Sequence, residues 1–182
     1  MNNKFIAELL SWLKALAIAL IIVLVCRHFL ITPSVVKGES MMPSLEDGDR
    51  IILSKVSKIE RFDEIAFQAP DSRDNYVKRI IGVPGDSVKM DNDQLYINGK
   101  KVEEQYLEDT KRLLPEGDQL TNDFTLVDIT GQEIVPEGKY FVLGDNRRVS
   151  KDSRSFGFID EEDIIGDVKM RIWPLQSFGV IE

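Results

Sequence analysis

The chain has 182 residues, which suits one domain with an appendage rather than two full domains. Its formal net charge is −8, and once Lys4, Glu8, Lys14 and Arg27 of the first 31 residues are set aside, 20 basic and 30 acidic side chains remain, an acidic surface that argues against nucleic acid as a partner. One cysteine, Cys26, and one histidine, His28, leave no internal disulfide, no zinc site and no readily placed imidazole beside a nucleophile.

The first element is an apolar helix. After a short lead, residues 1–8, the run "LLSWLKALAIALIIVLVC" extends from Leu9 to Cys26 and continues through Phe29 and Leu30. Spanning a bilayer takes roughly 20 apolar residues, so residues 9–30 read as a transmembrane anchor. Trp12 suits the interface and Lys14 can snorkel to the headgroups. A cleaved leader needs a small-x-small site after the apolar run, and "RHFLITPSVV" lacks one. Lipid attachment at Cys26 ordinarily follows a small residue, and Val25 is not small. The pattern favours an uncleaved anchor. Lys4 and Lys14 on one side oppose Arg27 and Lys37 on the other, so charge alone leaves the orientation open.

The remainder, residues 31–182, is predicted to be mainly antiparallel β. "DRIILSKV" (49–56), "DEIAFQA" (63–69) and "NYVKRIIGV" (75–83) are rich in β-branched and aromatic residues. "VPGD" (83–86) is a turn centred on Pro84 and Gly85, and "QLYINGKKV" (94–102) is a hairpin whose Asn98-Gly99 suits a type I′ turn. "GKYFVLGD" (138–145) and "DVKMRIWP" (167–174) are further strands. No long amphipathic helix follows the anchor. Residues 103–124 are polar and read as irregular, within a variable insertion near 91–137.

Three stretches carry the chemistry. Ser40, in "VVKGESMMPSLEDGDRIIL" (35–53), lies just past the anchor, either as a nucleophile held at the lipid surface or as an ordinary loop serine. Met41, Met42 and Leu45 beside it have two readings, lipid contact or core. Without an imidazole a serine needs another base, and a lysine serves if burial keeps its amine neutral near pH 7. Lys78 fits: alternation puts Tyr76, Lys78 and Ile80 on one strand face and Val77, Arg79 and Ile81 on the other. The bland alternative is a lysine facing solvent. The third stretch, "GDNRRVSKDSRSFGFI" (144–159), is either a solvated loop or a polar buttress that orients the lysine. Ser11 to Lys14 and Ser34 to Lys37 match S-x-x-K by chance, since neither S-D-N nor K-T-G occurs. Gly38 to Met42 fails G-x-S-x-G at Met42.

Together these stretches resemble the bacterial type I signal peptidases, Ser-Lys membrane proteases that remove leader peptides from exported proteins. The boxes are Ser40-Met41-Met42-Pro43, "YVKRIIGVPGD" (76–86) and "GDNRRVSKDSR" (144–154), in the family's order behind an anchor. The resemblance implies an antiparallel β catalytic domain of signal-peptidase type, with Ser40 as nucleophile and Lys78 as general base. Ser150 matches a serine that hydrogen-bonds the lysine, and Asp152 and Arg154 a structural ion pair; Asp145 joins them as a supporting residue. Val36, Met41 and Val77 match positions near the substrate groove. No cofactor or metal is implied. The implied partners are exported preproteins and membrane lipid, and the implied location is the cytoplasmic membrane, single-pass, with the N-terminus in and the catalytic domain outside. Cutting is expected after small residues at the first and third positions before the scissile bond. Two departures stand out: Gly38 replaces a serine that donates to the oxyanion in some members, and Arg148 stands where aspartate is often found. A self-cleaving Ser-Lys regulator and a non-catalytic tethered binding module are the competing readings. A membrane helix where the former carries a DNA-binding domain counts against it, and the presence of both Ser40 and Lys78 counts against the latter.

Overall fold

The computed structural model describes residues 2–181. Helix α1 runs Asn2–Phe29, and within it Phe5–Phe29 is long and apolar enough to cross a membrane. From Phe5 onward its side chains are exposed nearly all round, Leu16 and Ile21 among them and Cys26 half-buried, as suits a helix whose solvent is lipid. The helix therefore starts earlier than the residues 9–30 read from hydropathy. Lys55 ties its end to the β domain: the Lys55 N–H donates to the Leu30 carbonyl at 2.9 Å and its Nζ to that of His28 at 3.1 Å.

The strands are β1 (Ile31–Val35), β2 (Arg50–Ser54), β3 (Glu64–Gln68), β4 (Asn75–Gly82), β5 (Val88–Asp91), β6 (Gln94–Ile97), β7 (Lys100–Val102), β8 (Phe124–Thr125), β9 (Lys139–Leu143), β10 (Ile159–Asp160), β11 (Ile164–Trp173) and β12 (Gly179–Val180). The larger sheet has the order β1-β2-β11-β3-β4-β9-β10, with β12 on β11; the smaller is β7-β6-β5-β8. All pairings are antiparallel. The fold is mainly antiparallel β behind one apolar helix, the expected class. Asn98 and Gly99 take positive φ of 53° and 72°, as the type I′ turn requires.

Three apolar clusters hold the sheets. Val36, Met41, Leu45, Ile51 and Leu53 pack with Val168 on one face of the large sheet. Ile65, Phe67, Ile80 and Val142 pack on the other. Ile81, Phe141 and Leu143 join Met90, Leu95 and Phe124 between the two sheets. Successive residues Ile80 and Ile81 thus enter different clusters, the period-2 alternation at work in a strand buried on both faces. Met41 and Leu45 are buried core residues, so the core reading holds for them; Met42 is exposed. Residues 103–124 depart from the irregular insertion expected. They include the 3₁₀ turn Gln105–Leu107 and the short helix Glu108–Arg112, and they bury Glu104, Leu107, Leu120 and Thr121. Leu107, Leu120 and Phe124 are the apolar anchors in a segment whose polarity hid them.

Candidate active site

Ser40 sits in the turn between β1 and β2. Gly38 takes φ +81°, a left-handed conformation that suits glycine, and its N–H donates to Asp47 Oδ1 at 2.7 Å. The turn is closed by Leu45 N–H to the Met41 carbonyl at 3.0 Å, and both side chains are sunk in the core. From across the molecule, the Asn146 N–H donates to the Ser40 carbonyl and its Nδ2 to that of Glu39, each at 3.0 Å. Among the described residues the Ser40 N–H donates no hydrogen bond.

Lys78, on β4, is 3% exposed. Its Nζ lies 2.7 Å from Ser40 Oγ, 2.9 Å from the Val77 carbonyl and 5.1 Å from the centre of the Tyr76 ring. Burial lowers its pKa to about 8, with the carboxylates of Asp152 and Asp145 pulling the other way. At pH 7 about one amine in eleven is then neutral, against about one in several thousand for a free lysine. The pair can therefore exchange a proton near neutral pH.

The third box packs around this pair. Asp152 is fully buried; it accepts the Gly144 N–H at 3.0 Å and is held by Arg154 Nε at 2.8 Å and Nη2 at 2.7 Å. It also caps the one-turn helix Ser153–Phe156. Ser150 does not hydrogen-bond Lys78: its Oγ is buried without a partner. It packs beside Gly144, where any Cβ would collide with both Ser150 Oγ and the Ser40 carbonyl oxygen. Position 144 must be glycine for these two segments to approach.

Asp145 points into a buried charge network. It accepts Arg79 Nε at 3.0 Å and Nη2 at 2.6 Å, and Ser44 Oγ donates to it at 2.5 Å. Arg79 Nη2 also donates to Glu64 Oε1 at 2.6 Å, and Tyr106 lies 4.1 Å from the guanidinium. Burial pushes the Glu64 carboxyl up to about 7. A second buried ion pair joins Arg147 to Glu104, with Tyr106, Thr121 and the Gly144 carbonyl also contacting the guanidinium. Arg79, Glu64, Ser44, Glu104 and Tyr106 escaped the sequence reading. The available signal was the charge of Arg79 on a strand otherwise buried on both faces, which demands partners.

A groove of about 720 Å³ opens at Ser40 between β1 and the start of β4. Val36, Met41 and Val77 line it, together with Leu53, Ala66 and Ile165. β4 pairs with β9 only from Arg79 onward, and β1 pairs only with β2, so both walls carry unpaired strand edges.

The family described as "Signal peptidase, peptidase S26" matches residues 9–173. The chain belongs to the signal peptidase family. It is 45% identical over 179 residues to signal peptidase IB of Staphylococcus aureus strain N315, covering 94% of this chain and 93% of that one. It is 48% identical over 166 residues to signal peptidase I of Bacillus caldolyticus, covering 89% and 90%. A solved signal peptidase I from Enterococcus faecalis V583 superposes with a TM-score of 0.60 at 45% identity, covering 62% of this chain and 98% of that one. Signal peptidase I activity accompanies family membership, exported preproteins are the substrates it implies, and the apolar helix makes the peptidase a membrane-anchored one.

Proposed function

We propose that this signal peptidase cuts its preproteins with a Ser40–Lys78 dyad, and that it does so outside the cytoplasmic membrane. The observation that carries the reading is the 2.7 Å approach of a buried amine, its pKa lowered to about 8, to the Ser40 hydroxyl. Neutral Lys78 takes the Ser40 proton as Oγ attacks the carbonyl carbon at the cleavage site. The tetrahedral oxyanion receives the Ser40 N–H, a donor with no other partner among the described residues. Gly38 has no side chain to add a second, so the hole is built from backbone on this side. Lys78 returns the proton to the departing amine, leaving an ester on Oγ. A water then gives a proton to Lys78 and attacks the ester, and Lys78 passes that proton to Ser40 Oγ as it leaves, freeing the new C-terminal carboxyl group and restoring the dyad.

Asp145 with Arg79 and Ser44, and Asn146 with the Ser40 and Glu39 carbonyls, hold the third box against Ser40 and Lys78, while Asp152 with Arg154 braces the box internally and Ser150 fills the space beside them. The unpaired edges of β1 and of Asn75–Lys78 suit an extended peptide entering as an added strand. The apolar wall of Val36, Met41 and Val77 supports selection of small side chains at the first and third positions before the cut. In this reading residues 1–8 lie in the cytoplasm, 9–30 in the bilayer and 31–182 outside, with 91–137 as the variable insertion.

The test uses the full chain in detergent with a preprotein, as wild type, Ser40→Ala and Lys78→Ala. Wild type should release one product whose new N-terminus follows a small-x-small sequence, and both variants should be inert while folded. Turnover by Lys78→Ala near the wild-type rate would remove the lysine from the mechanism.

A further inference from the structure

Scissile-bond chemistry at Ser40 divides the substrate into two parts, upstream and downstream of the cut, and the groove between β1 and β4 borders Ser40. A second cleft, of about 750 Å³, opens beside the third box and includes Ser150 in its wall. It adjoins the catalytic centre without being lined by Ser40 or Lys78: Ser150, in its wall, and the Ser40 carbonyl oxygen both abut Gly144. Leu120, Phe124 and Ile129 give it apolar surface, and three arginines, Arg147, Arg148 and Arg154, line it together with the carboxylates of Asp118 and Asp123.

Their availability differs. Arg147 is buried and engaged by Glu104, Tyr106, Thr121 and the Gly144 carbonyl. Arg154 is held by Asp152 through Nε and Nη2. Arg148 is fixed by the Gln119 carbonyl, which accepts from Nε at 3.2 Å and Nη2 at 2.6 Å. Its one carboxylate partner among the described residues, Asp118, lies at 3.1 Å in a pair whose side chains are each 47% exposed, so water already weakens that pairing. The Nη1 of Arg148 donates to no acceptor among the described residues. It is a positioned guanidinium with a spare donor.

We propose that this cleft receives the part of the preprotein downstream of the cut, and that Arg148 selects an acidic side chain there. The inference rests on the peptidase reading above. Two physical facts favour this occupant. Lys and Arg flanking an exported apolar segment are held on the cytoplasmic side, so the chain just past a signal peptide is poor in positive charge and compatible with an arginine wall. The β domain is otherwise acidic, with 30 acidic against 20 basic side chains beyond residue 31, so a local guanidinium gives an acidic segment the attractive point that the rest of the surface denies it.

The experiment uses the full chain in detergent and matched peptides that carry either Asp or Lys at one of the first six positions after the cut. At low salt, wild type should cleave the Asp peptide about fivefold better in kcat/KM at one or two of these positions, as suits a half-exposed charge pair. Arg148→Glu should invert that ratio, and Asp118→Asn, which frees Arg148, should raise it. Raising the ionic strength should bring all ratios toward one. Identical ratios in wild type, Arg148→Glu and Asp118→Asn at every downstream position would overturn the proposal. Titrating the same peptides against Ser40→Ala reads the preference without turnover. An Arg148-dependent preference in binding, with no cleavage by wild type, would sink the peptidase reading and leave the cleft assignment standing.

Discussion

A single methyl group at position 144 should disable the site while leaving the fold. The backbone at Gly144 places any Cβ 2.5 Å from Ser150 Cβ, and nearer still to Ser150 Oγ and to the Ser40 carbonyl oxygen. Carbon atoms settle at about 3.5–4.0 Å, so the Ser40 turn or the Ser150 segment must retreat by about 1 Å. A displacement of about 1 Å at a reacting group lowers the rate by about 10²-fold. Overpacking of this kind costs about 1–3 kcal/mol, a fall of several degrees in Tm for a chain of this length. Gly144→Ala should therefore remain folded by circular dichroism, melt somewhat lower and lose about 10²-fold in kcat/KM on a preprotein peptide. Gly179→Ala is the control, because a Cβ there meets nothing within 4 Å. If Gly144→Ala kept kcat/KM within about threefold of wild type, the close approach of the third box to Ser40 would have no part in catalysis.

Other outcomes follow from the buried charges. Activity should fall about tenfold per pH unit below about 8, since protonated Lys78 cannot accept the Ser40 proton, and a rate independent of pH between 5 and 9 would contradict this. Stability should respond in two windows. Folding lowers the Lys78 pKa from 10.5 to about 8, so the unfolded chain binds the extra proton between those values and stability falls as pH drops through them. Folding raises Glu64 from 4.5 to about 7, so the folded chain binds the extra proton there and stability falls as pH rises from 4.5 to 7; Glu64→Gln should flatten that limb of the denaturation midpoint against pH. Glu104→Ala strands a buried Arg147 and should lose about 3–5 kcal/mol in urea unfolding; a loss under about 1 kcal/mol would mean water reaches that guanidinium. Asn146→Ala removes the bond to the Glu39 carbonyl, so kcat should drop several-fold with a stability loss near 1 kcal/mol; an unchanged kcat would show that the Ser40 turn holds itself.

The strands were legible because each carries its own signature. Alternation in "NYVKRIIG" gave both the strand and the separation of Ile80 from Ile81, and Asn98-Gly99 named its turn. β11 begins at Ile164, three residues before the strand expected from the sequence, because Ile164 and Ile165 follow an acidic run that looked like loop. Less of the buried polar framework was legible. Arg79, Glu64, Arg147 and Glu104 look like surface charge in a chain with this many acidic residues, and only pairing across 15 to 66 residues in sequence makes their burial tolerable. The same holds for Leu107 and Leu120, isolated apolar residues in a polar segment that no periodicity marks. Ser150 shows the opposite case: a residue matched by motif whose hydroxyl packs beside the site without the hydrogen bond expected of it.

The central claim is that the Lys78 amine is neutral in a sizeable fraction of molecules near pH 7 while it touches Ser40. The direct measurement is an NMR titration of lysine side chains in the detergent-solubilised chain, with the Lys78 signal assigned by its loss in Lys78→Arg. A midpoint near pH 8 is the predicted result. A midpoint at the 10.5 of an ordinary lysine would contradict the account, because the amine beside Ser40 would then carry its proton throughout the working range.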